Sequence, residues 1–531
     1  MLGQVFGCAT WPRIAAVAGL WVSYKLYRRF THVCALSFLP GPPTLSYVWG
    51  NVSALRKAPV GTRYNVWRKM YGPVYRLREP LMEPILILGD PKGALYVLNK
   101  TTTYWRPAID RVVLRLWFGP SILSSETHEH LQRKRRMSPA FTTQSVKTIS
   151  ATLLDLAHDL VNEWDGKLGP DESMVIDMAK DLHRLSLNGI SRTMFAYDLS
   201  DPTGRIPTLL NKFSSGPGDE DTTLKRLASL VISANPLLMN LPNPFKEWAD
   251  MLRTELGTIA QKVWGAVEKG ESLEGLDARV LEVLSQQQKK GERISKDDAV
   301  AEIVGLLFAG SESTGNCIRQ ELIYELAHKP HIQTKMRDEL RAFEAHNGSP
   351  PGYGDLMISG GNSLDYFNAV VMETLRTKAV LMDIAREAVA NDVIPLNIPL
   401  PGSAAHSLPV RKGQIIYIPI RDGLNVDPDI WGDDAETFRP ERWLDPGAHE
   451  RGVGPGGIVT FGDGAKTCLG RVFAIAEIKI VAAILVRTFS FHPSDDHFDI
   501  DFYHLRGNTV KPKVRGHENE GVQMPLRIRR A

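Results

Sequence analysis

The apolar residues of this chain recur mainly at helical spacing, with a few short apolar runs typical of strands. Pro84-Ile-Leu-Ile-Leu88 is one such run, and Gly89-Asp-Pro91 follows it with turn residues, so the pattern predicts a buried strand that ends there. Between residues 101 and 489 amphipathic patterns of helical period predominate, without an internal repeat or a long linker. The chain is therefore predicted to be mainly α with minor β, as a single large helical domain plus a small β-rich region.

The longest predicted helix begins at Ser295, in a capping-box-like sequence, and runs to His328, where Lys329-Pro330 stops it. Its first half, Ala299 to Phe308, is apolar on nearly all faces, which is typical of a helix inside a large protein or a membrane. Thirty or so residues at 1.5 Å each form a helix about 45–50 Å long. Glycine and polar residues in its interior favour a buried helix that crosses the domain.

The N-terminal segment has the pattern of a membrane anchor. Residues 14–22 are apolar or small, and basic residues follow from Lys25 onward. That flank would stay cytoplasmic, whereas a cleaved signal peptide normally carries its positive charge before the apolar stretch. We predict an N-terminal membrane anchor over residues 1–30, a proline-rich hinge over 31–50 and a catalytic domain over 51–531. A cleaved signal peptide and a helix lying in the membrane interface are the alternatives.

Composition and charge narrow the classes of partner. The 531 residues are 43% hydrophobic and 23% charged, as in an ordinary globular protein. The net charge of +3, without a basic stripe interleaved with aromatic residues, argues against nucleic acid as the main partner. Four scattered cysteines without a CxxC pair do not suggest a disulfide framework and fit a body that folds in reducing cytosol.

One cysteine has surroundings that suit a metal ligand. Phe461-Gly-Asp-Gly-Ala-Lys-Thr-Cys-Leu-Gly470 precedes an apolar helix at residues 472–489. A cysteine where a helix begins lies among unpaired N–H groups at the positive end of the helix dipole, which favours thiolate and predicts a lowered pKa for Cys468. Gly464 can adopt backbone angles that other residues avoid, Gly470 lets a flat group approach, and Phe461 can shield the sulfur. The alternative is a buried core cysteine beside a glycine-rich turn.

This segment resembles the haem-binding signature of the cytochrome P450 family, F-x-x-G-x-R-x-C-x-G, at Phe461, Gly464, Cys468 and Gly470. Lys466 stands where the family usually has arginine, and it can pair with a haem propionate as a point charge but not as a bidentate fork. The resemblance implies that Cys468 is the metal ligand, bound to the iron of haem b. Its thiolate would donate electron density that helps to cleave the O–O bond.

Two further motifs resemble the family's support for that loop. Glu373-Thr-Leu-Arg376 has opposite charges on one helical face, which alone would be an ordinary surface pair. It resembles the family motif E-x-x-R, and Phe438-Arg-Pro-Glu-Arg442 resembles the motif that supplies a third member. The resemblance implies that Glu373, Arg376 and Arg442 lock together beneath the haem as structural support for the cysteine loop.

A polar stretch interrupts the long apolar helix at Ala309-Gly-Ser-Glu-Ser-Thr314, and glycine with small polar residues weakens a helical hydrogen-bond ladder. The stretch resembles the family's oxygen-activation motif A-G-x-[DE]-T-[TS], with Ser313 in place of the usual threonine. The resemblance implies that Glu312 and Ser313, with Thr314 beside them, relay protons to dioxygen, and that Ala309 lines the haem. A polar kink in a core helix is the alternative.

Haem propionates need cationic partners, and the resemblance suggests where they lie. Arg386 stands where the family often places one on a strand. His130 and Lys134 align with the family's W-x-x-x-R helix, again with lysine for arginine. We expect these residues to form a propionate clamp, and the run Arg133-Lys-Arg-Arg136 to contribute to a basic docking surface for a reductase. A solvated face is the alternative for that run.

Together the motifs imply the cytochrome P450 fold from about Pro40 to the C-terminus and a monooxygenase activity. Electrons would come from NADPH through a separate cytochrome P450 reductase, because no GxGxxG fingerprint is apparent, with cytochrome b5 as a further donor. An isomerase, dehydratase or peroxygenase of the same fold, which needs no reductase, and a non-enzymatic haem sensor are the alternatives.

The substrate is expected to be lipophilic. Val304, Phe308 and the stretch Ala379 to Ala385 should line the pocket, and apart from Asp383 they are apolar or small. The sequence resembles those of fungal microsomal members of the family, so we expect a terpenoid or similar natural product as substrate. The same resemblance implies a location on the endoplasmic reticulum membrane, with the catalytic domain facing the cytosol.

Overall fold

The computed structural model of the chain describes most of it. The described residues are 23, 27, 31, 35–44, 46–51, 54–55, 58–170, 172–199, 236–269, 271, 277–292, 294–357, 364–400, 402–494, 499–504 and 509–531. The predicted anchor over residues 1–30 lies outside this part, apart from Ser23 and Tyr27. Across the described ranges, no helix is both long and apolar enough to cross a bilayer.

Helices make up most of the described chain, which confirms the prediction of a mainly α protein with minor β structure. In chain order the α-helices are α1 Arg63–Tyr71, α2 Pro91–Asn99, α3 Ala108–Phe118, α4 Thr127–Met137, α5 Thr143–Thr148, α6 Ser150–Leu168, α7 Met178–Phe195, α8 Pro244–Glu268, α9 Arg279–Lys289, α10 Lys296–Asn316, α11 Tyr324–His328, α12 Pro330–Asn347, α13 Tyr353–Met357, α14 Asp365–Thr377, α15 Pro428–Trp431, α16 Ala448–Arg451 and α17 Arg471–Thr488.

The strands form small sheets at the margins of the helical body. They are β1 Val74–Arg78, β2 Pro84–Leu88, β3 Tyr104–Trp105, β4 Ser173–Asp177, β5 Asp383–Ala388, β6 Asp392–Pro395, β7 Ser407–Val410, β8 Ile415–Pro419, β9 Phe489–Pro493, β10 Ile500–His504, β11 Val510–Val514 and β12 Pro525–Arg530. The largest sheet has the order β1-β2-β8-β5-β3, and β4-β12-β9 form a second. The pairs β6-β7 and β10-β11 are antiparallel hairpins.

The predicted strand at residues 84–88 is β2, and its five residues are all buried. It pairs in parallel with β8 and antiparallel with β1, inside the largest sheet. The turn after it leads directly into α2, because the Asp90 side chain accepts a hydrogen bond from the N–H of Gly93 at 2.8 Å and caps that helix. Buried apolar residues of this sheet and of the segments packed on it form a hydrophobic core that is separate from the core of the helices.

The long helix begins as predicted, because the Ser295 side chain caps α10 by accepting a hydrogen bond from the N–H of Asp298 at 3.1 Å. The regular α-helix ends at Asn316, and a π-helical segment, Cys317–Ile323, continues it into α11. The irregularity was expected at the glycine and polar residues of 309–314, where the ladder is in fact α-helical. The wider turn instead carries Glu321, which forms a buried ion pair with Arg421 (Oε1 to Nη1, 2.5 Å).

Candidate active site

Cys468 lies in the loop between a 3₁₀ turn, Gly464–Lys466, and the start of α17. Its backbone N–H donates to the carbonyl of Phe461 at 2.8 Å, which closes the loop. Gly464 has φ +67°, and a Cβ there would lie 2.8 Å from Oδ1 of Asn99, so the loop requires glycine at this position. Cys468 is exposed, and it is the residue of this loop that presents an accessible nucleophilic side chain.

The protein alone does not favour the thiolate form of Cys468. Although the Cys468 side chain is accessible, many protein atoms surround it, and this desolvation raises the pKa of its thiol. The N–H of Gly470 and the charges of Lys134 and Arg471 act in the opposite direction without reversing the shift. The predicted lowering of the pKa by the helix start is therefore wrong, because desolvation outweighs it. A bound metal cation would favour the thiolate.

The carboxylate of Glu373 is the centre of a buried support network. It accepts hydrogen bonds from Nε and Nη2 of Arg376, both at 2.8 Å, and from Nε of Arg442 at 3.1 Å. Nε1 of Trp443 and the N–H of Arg439 donate to the same carboxylate at 2.9 and 2.8 Å. The three residues that the motifs suggested thus lie together. Removing one partner of such a buried pair typically costs about 3–5 kcal/mol.

This network continues to the cysteine loop through one asparagine. Nη1 of Arg376 donates to the carbonyl of Asn425 at 2.8 Å. The Asn425 amide accepts from the N–H of Val459 at 3.0 Å and donates to Oγ1 of Thr460 at 2.8 Å. Thr460 directly precedes Phe461, whose carbonyl accepts the hydrogen bond from the N–H of Cys468. The ion pairs therefore hold the loop that carries the sulfur through a short series of hydrogen bonds.

On α10, the predicted proton-relay residues differ in accessibility. Ser313 is exposed, whereas its neighbours Glu312 and Thr314 are buried. The Ser313 hydroxyl donates to the carbonyl of Ala309 at 2.7 Å, one turn earlier, which fixes its position on the accessible face. Ala309 itself is half-buried on that stretch. With its hydrogen on that carbonyl, the Ser313 oxygen is left to accept a hydrogen bond on the open side of the helix.

Glu312 faces a different environment from Ser313. Its carboxylate forms a buried ion pair with Lys511 of β11, and Nε2 of His183 on α7 lies 3.6 Å from it. Successive residues of an α-helix point about 100° apart, which explains why the acid and the hydroxyl face different surroundings. Lys511 and His183 are not part of any motif in the sequence, and the pairing depends on how distant elements pack.

The two lysines that replace family arginines make contacts within the protein. Nζ of Lys466 forms an ion pair with Glu126. Nζ of Lys134 donates to the carbonyls of Ala465 and Thr467, at 2.9 and 2.6 Å. Lys134 thereby fastens the cysteine loop to α4, a role that sequence reasoning did not predict.

The other two predicted propionate partners are buried. On β5, Nη1 of Arg386 donates to the carbonyl of Ala385, the preceding residue, at 2.9 Å. The Nε atom of Arg386 has no hydrogen-bond partner among the described residues. Burial, with Arg106 nearby, lowers the pKa of Arg386 to about 10. Burial, reinforced by Lys466, Arg106 and Lys134, lowers the pKa of His130 to about 3. His130 is therefore a neutral hydrogen-bonding group at ordinary pH.

Arg133 is not part of a docking surface, contrary to the prediction for the run 133–136. It is buried and forms ion pairs with Glu129 at 3.0 Å, Asp298 at 2.8 Å and Glu302 at 2.8 Å. These contacts tie α4 to the first turns of α10. Glu129 lies on α4 itself, but Asp298 and Glu302 come from a helix some 165 residues further along, so the local run of basic residues could not reveal them.

Comparisons with known proteins bear on this arrangement as a whole. The family described as Cytochrome P450 matches residues 40–515. The chain belongs to the cytochrome P450 family. Cytochrome P450 monooxygenase claW from Ampulloclitocybe clavipes is 30% identical over 96% of each chain, and claQ from the same organism is 29% identical over 98% of each. Cytochrome P450 monooxygenase 128 of Postia placenta is 28% identical over 96% of each chain. This P450 is thus a haem-thiolate monooxygenase, an oxidoreductase.

The residues of this P450 fit a haem on two observations. Cys468 presents an accessible sulfur at the start of α17. The charges of Arg106, Arg386 and Lys466 act on one another, and the carboxylates that act on these cations are Glu126 and, at Arg386, Asp110. An excess of buried positive charge is costly unless it is paired, and the two propionates of haem would supply the missing negative charge.

Proposed function

We propose that this P450 inserts one oxygen atom from O2 into a lipophilic small molecule, with a terpenoid or similar natural product as the expected class. Electrons would come from NADPH through a separate cytochrome P450 reductase, with cytochrome b5 as a second donor. The observation that supports the proposal is an accessible hydroxyl, Ser313, that directly follows a buried carboxylate, Glu312, on the same helix. A peroxygenase or isomerase of this fold has less need of such a proton-delivering pair.

Haem, when bound, supplies the iron at which dioxygen is reduced. Cys468 would hold that iron through its sulfur, and Glu373, Arg376 and Arg442 keep the cysteine loop in place. The hydroxyl of Ser313, on turning from the carbonyl of Ala309, would donate a proton on the accessible side of α10. Glu312, ion-paired with Lys511, would first take up a proton and then pass it to that hydroxyl, and Thr314 adds a second hydroxyl next to Ser313.

The side chains around the expected pocket support an apolar substrate. The ring of Phe308, which is expected in the lining, lies 4.9 Å from the ring of Phe118. Asp383, the charged residue in the expected lining, is buried and accepts a hydrogen bond from the Tyr64 hydroxyl at 3.0 Å. Because that carboxylate is engaged with α1, it does not oppose a lipophilic ligand.

We infer a place on the endoplasmic reticulum membrane, with the catalytic domain in the cytosol. The apolar N-terminal segment with its basic flank supports this placement. Tyr47, Val66 and Met70, which follow that segment in the sequence, expose large apolar side chains to the surface. A membrane position would also give the enzyme direct access to lipophilic substrates.

The decisive experiment is product analysis in microsomes that contain the full chain and a P450 reductase, with a panel of terpenoids under ¹⁸O2. We expect NADPH-dependent products that each carry one ¹⁸O atom. Cys468→Ala should abolish both these products and the thiolate-type carbonyl spectrum of the reduced haem. Products that form from hydroperoxides at the same rate without reductase, and without label from O2, would instead identify a peroxygenase or isomerase.

A further inference from the structure

Residues 378–382, the lining stretch between α14 and β5, are held through their backbone carbonyls. The carbonyl of Val380 accepts a hydrogen bond from the N–H of Val510 on β11 at 2.9 Å, and the carbonyl of Met382 accepts one from the N–H of Ile420 at 2.7 Å. The side chain of Leu381 is half-buried, whereas Val380 and Met382 on either side of it are buried. Leu381 is therefore the residue of this group that can contact a ligand in the expected pocket.

A buried arginine adds a further contact to the lining stretch. Arg421, which directly follows Ile420, donates from Nη1 to the carbonyl of Ala379 at 3.4 Å. Its Nη1 also donates to Oε1 of Glu321 at 2.5 Å, and its Nη2 donates to Oε2 of the same residue at 3.3 Å. Arg421 is 5% exposed and Glu321 is 1% exposed, so water does not compete for these bonds. Glu321 therefore fixes the guanidinium that reaches the lining stretch.

The π-helical segment Cys317–Ile323 determines where the carboxylate of Glu321 lies. Its hydrogen bonds run from residue i to residue i+5, so it turns side chains away from the directions that an uninterrupted α-helix would give them. Just beyond it, on α11, Oε1 of Glu325 forms an ion pair with Nζ of Lys378 at 2.7 Å. Burial would raise the pKa of Glu325, but Lys378 and a second lysine lower it, so this carboxylate stays charged. One helical segment thus holds the lining stretch through two carboxylates, one of which acts through Arg421.

Stability alone does not account for the pair between Arg421 and Glu321, because replacing a buried ion pair by apolar residues is often neutral or stabilising. We infer that Arg421 is a positioning residue for the substrate: anchored by Glu321, it holds the lining stretch so that Leu381 keeps a defined place in the pocket. The inference rests on the proposed function and deepens it, since it assigns selection among lipophilic ligands to a charged pair behind the lining. A ligand that fills the pocket should depend on this pair, whereas a small ligand of the haem iron should not.

The test compares two azoles that bind haem iron through a nitrogen atom: imidazole, which is small, and clotrimazole, whose aromatic rings would touch the lining. Their Kd values are measured from the Soret shift of the purified full-length protein. Arg421→Lys keeps a positive charge beside Glu321 but loses the second arm that reaches Ala379. We expect it to raise the Kd for clotrimazole about tenfold, because the lining is no longer preorganised, and to leave the Kd for imidazole unchanged. Arg530→Lys is the matched control, because Arg530 forms an exposed ion pair with Asp165, and should change neither Kd.

A double-mutant cycle separates the positioning of Leu381 from a general loosening of the fold. Leu381→Ala should itself weaken clotrimazole binding. In that background Arg421→Lys should weaken binding less than about twofold further, because the side chain that it positions has been removed. Hydrogen–deuterium exchange gives a readout that does not involve haem: amides of residues 378–382 should exchange faster in Arg421→Lys than in Arg530→Lys.

Three results would overturn the inference. They are clotrimazole binding to Arg421→Lys at least as tight as to the wild type, an equal loss of affinity for imidazole, and effects of Arg421→Lys and Leu381→Ala that multiply in the double variant. Failure of the proposed function is a separate result. A wild-type chain that binds clotrimazole at its haem but oxidises no terpenoid would contradict that function and leave the role of Arg421 intact.

Discussion

A single glutamate in the helix after the cysteine loop shows how burial alone can change a residue's charge. Glu477 of α17 is fully buried, and Oε1 accepts a hydrogen bond from the Ser186 hydroxyl at 2.8 Å. Its Oε2 has no partner in the described ranges, and a Cβ at Gly189 would lie 2.8 Å from Oε1, so glycine permits this approach. Burial raises the pKa of Glu477 to about 8, and the side chain is therefore largely protonated at neutral pH.

This shift makes stability depend on pH. Since the pKa of Glu477 is higher in the folded protein than its ordinary value of 4.5, the folded state binds more protons between these values. The stabilisation is complete below about pH 4.5 and is lost as pH rises through about 8, on the order of 5 kcal/mol in all. Glu477→Gln, which stays neutral, should remove most of the fall in the thermal midpoint between pH 6 and pH 8.5.

The matched control for that measurement is Glu268→Gln, at an exposed position near the end of α8. It should retain the pH dependence of the wild type. An unchanged dependence in Glu477→Gln would show that this carboxyl is ionised in the folded protein.

At the scale of elements, a hairpin from the C-terminal part of the chain reaches the central helix. Lys511 of β11 pairs with Glu312 of α10 although about two hundred residues separate them in sequence. Each group is buried, and separating them would leave an unpaired charge in the interior. Through Lys511, the β10-β11 hairpin therefore influences the charge of Glu312, one of the predicted proton-relay residues.

Lys511→Met should uncouple the reaction. With its cation removed, the buried Glu312 favours its protonated form and releases a proton less readily, so proton resupply to Ser313 should slow. We expect product formed per NADPH to fall by about tenfold and peroxide to rise correspondingly. Lys513→Met is the control, because Lys513 lies two residues further along β11 and its Nζ donates instead to the carbonyl of Glu518 at 3.1 Å.

Combining Lys511→Met with Glu312→Gln tests whether the two residues act together. The double variant should be no worse than either single one, since both remove the same interaction. Full coupling in Lys511→Met, equal to that of Lys513→Met, would contradict the role of the hairpin.

At the scale of the whole molecule, much of the arrangement follows from local patterns. The cap at Ser295, the strand at 84–88 and the glycine turn at Gly464 are predictable, because each depends on residues close together in sequence. The grouping of Glu373, Arg376 and Arg442 was suggested by its resemblance to family motifs rather than by any physical pattern.

Other contacts could not be predicted, because they join segments that meet only in the folded protein. The ion pair between Lys466 and Glu126 spans 340 residues, and neither residue has a local feature that points to the other. The pKa of Cys468 was predicted in the wrong direction for a similar reason. The helix start is visible in the sequence, whereas the burial that outweighs it depends on the complete fold.

The predicted anchor gives a test at this scale. A variant that lacks residues 1–30 should leave the carbonate-resistant membrane fraction, whereas the full chain should remain in it, because the apolar segment is lost. The measurement is the fraction of protein in the pellet after alkaline extraction of microsomes. Replacing Lys25, Arg28 and Arg29 by glutamine is the control, and should preserve membrane association. Equal retention of the truncated chain would exclude an anchor in residues 1–30.

The residues that hold the cysteine loop have a consequence for the order in which the protein is made. Glu373, Arg376, Asn425 and Arg442 all precede Cys468 in the sequence. A ribosome therefore releases every member of this buried platform before it releases the sulfur, and elements made first can associate first. Chains that stop short of the cysteine would already contain the platform, but nothing to bind iron. Capture of the cofactor through Cys468 is thus confined to polypeptides that already contain the platform.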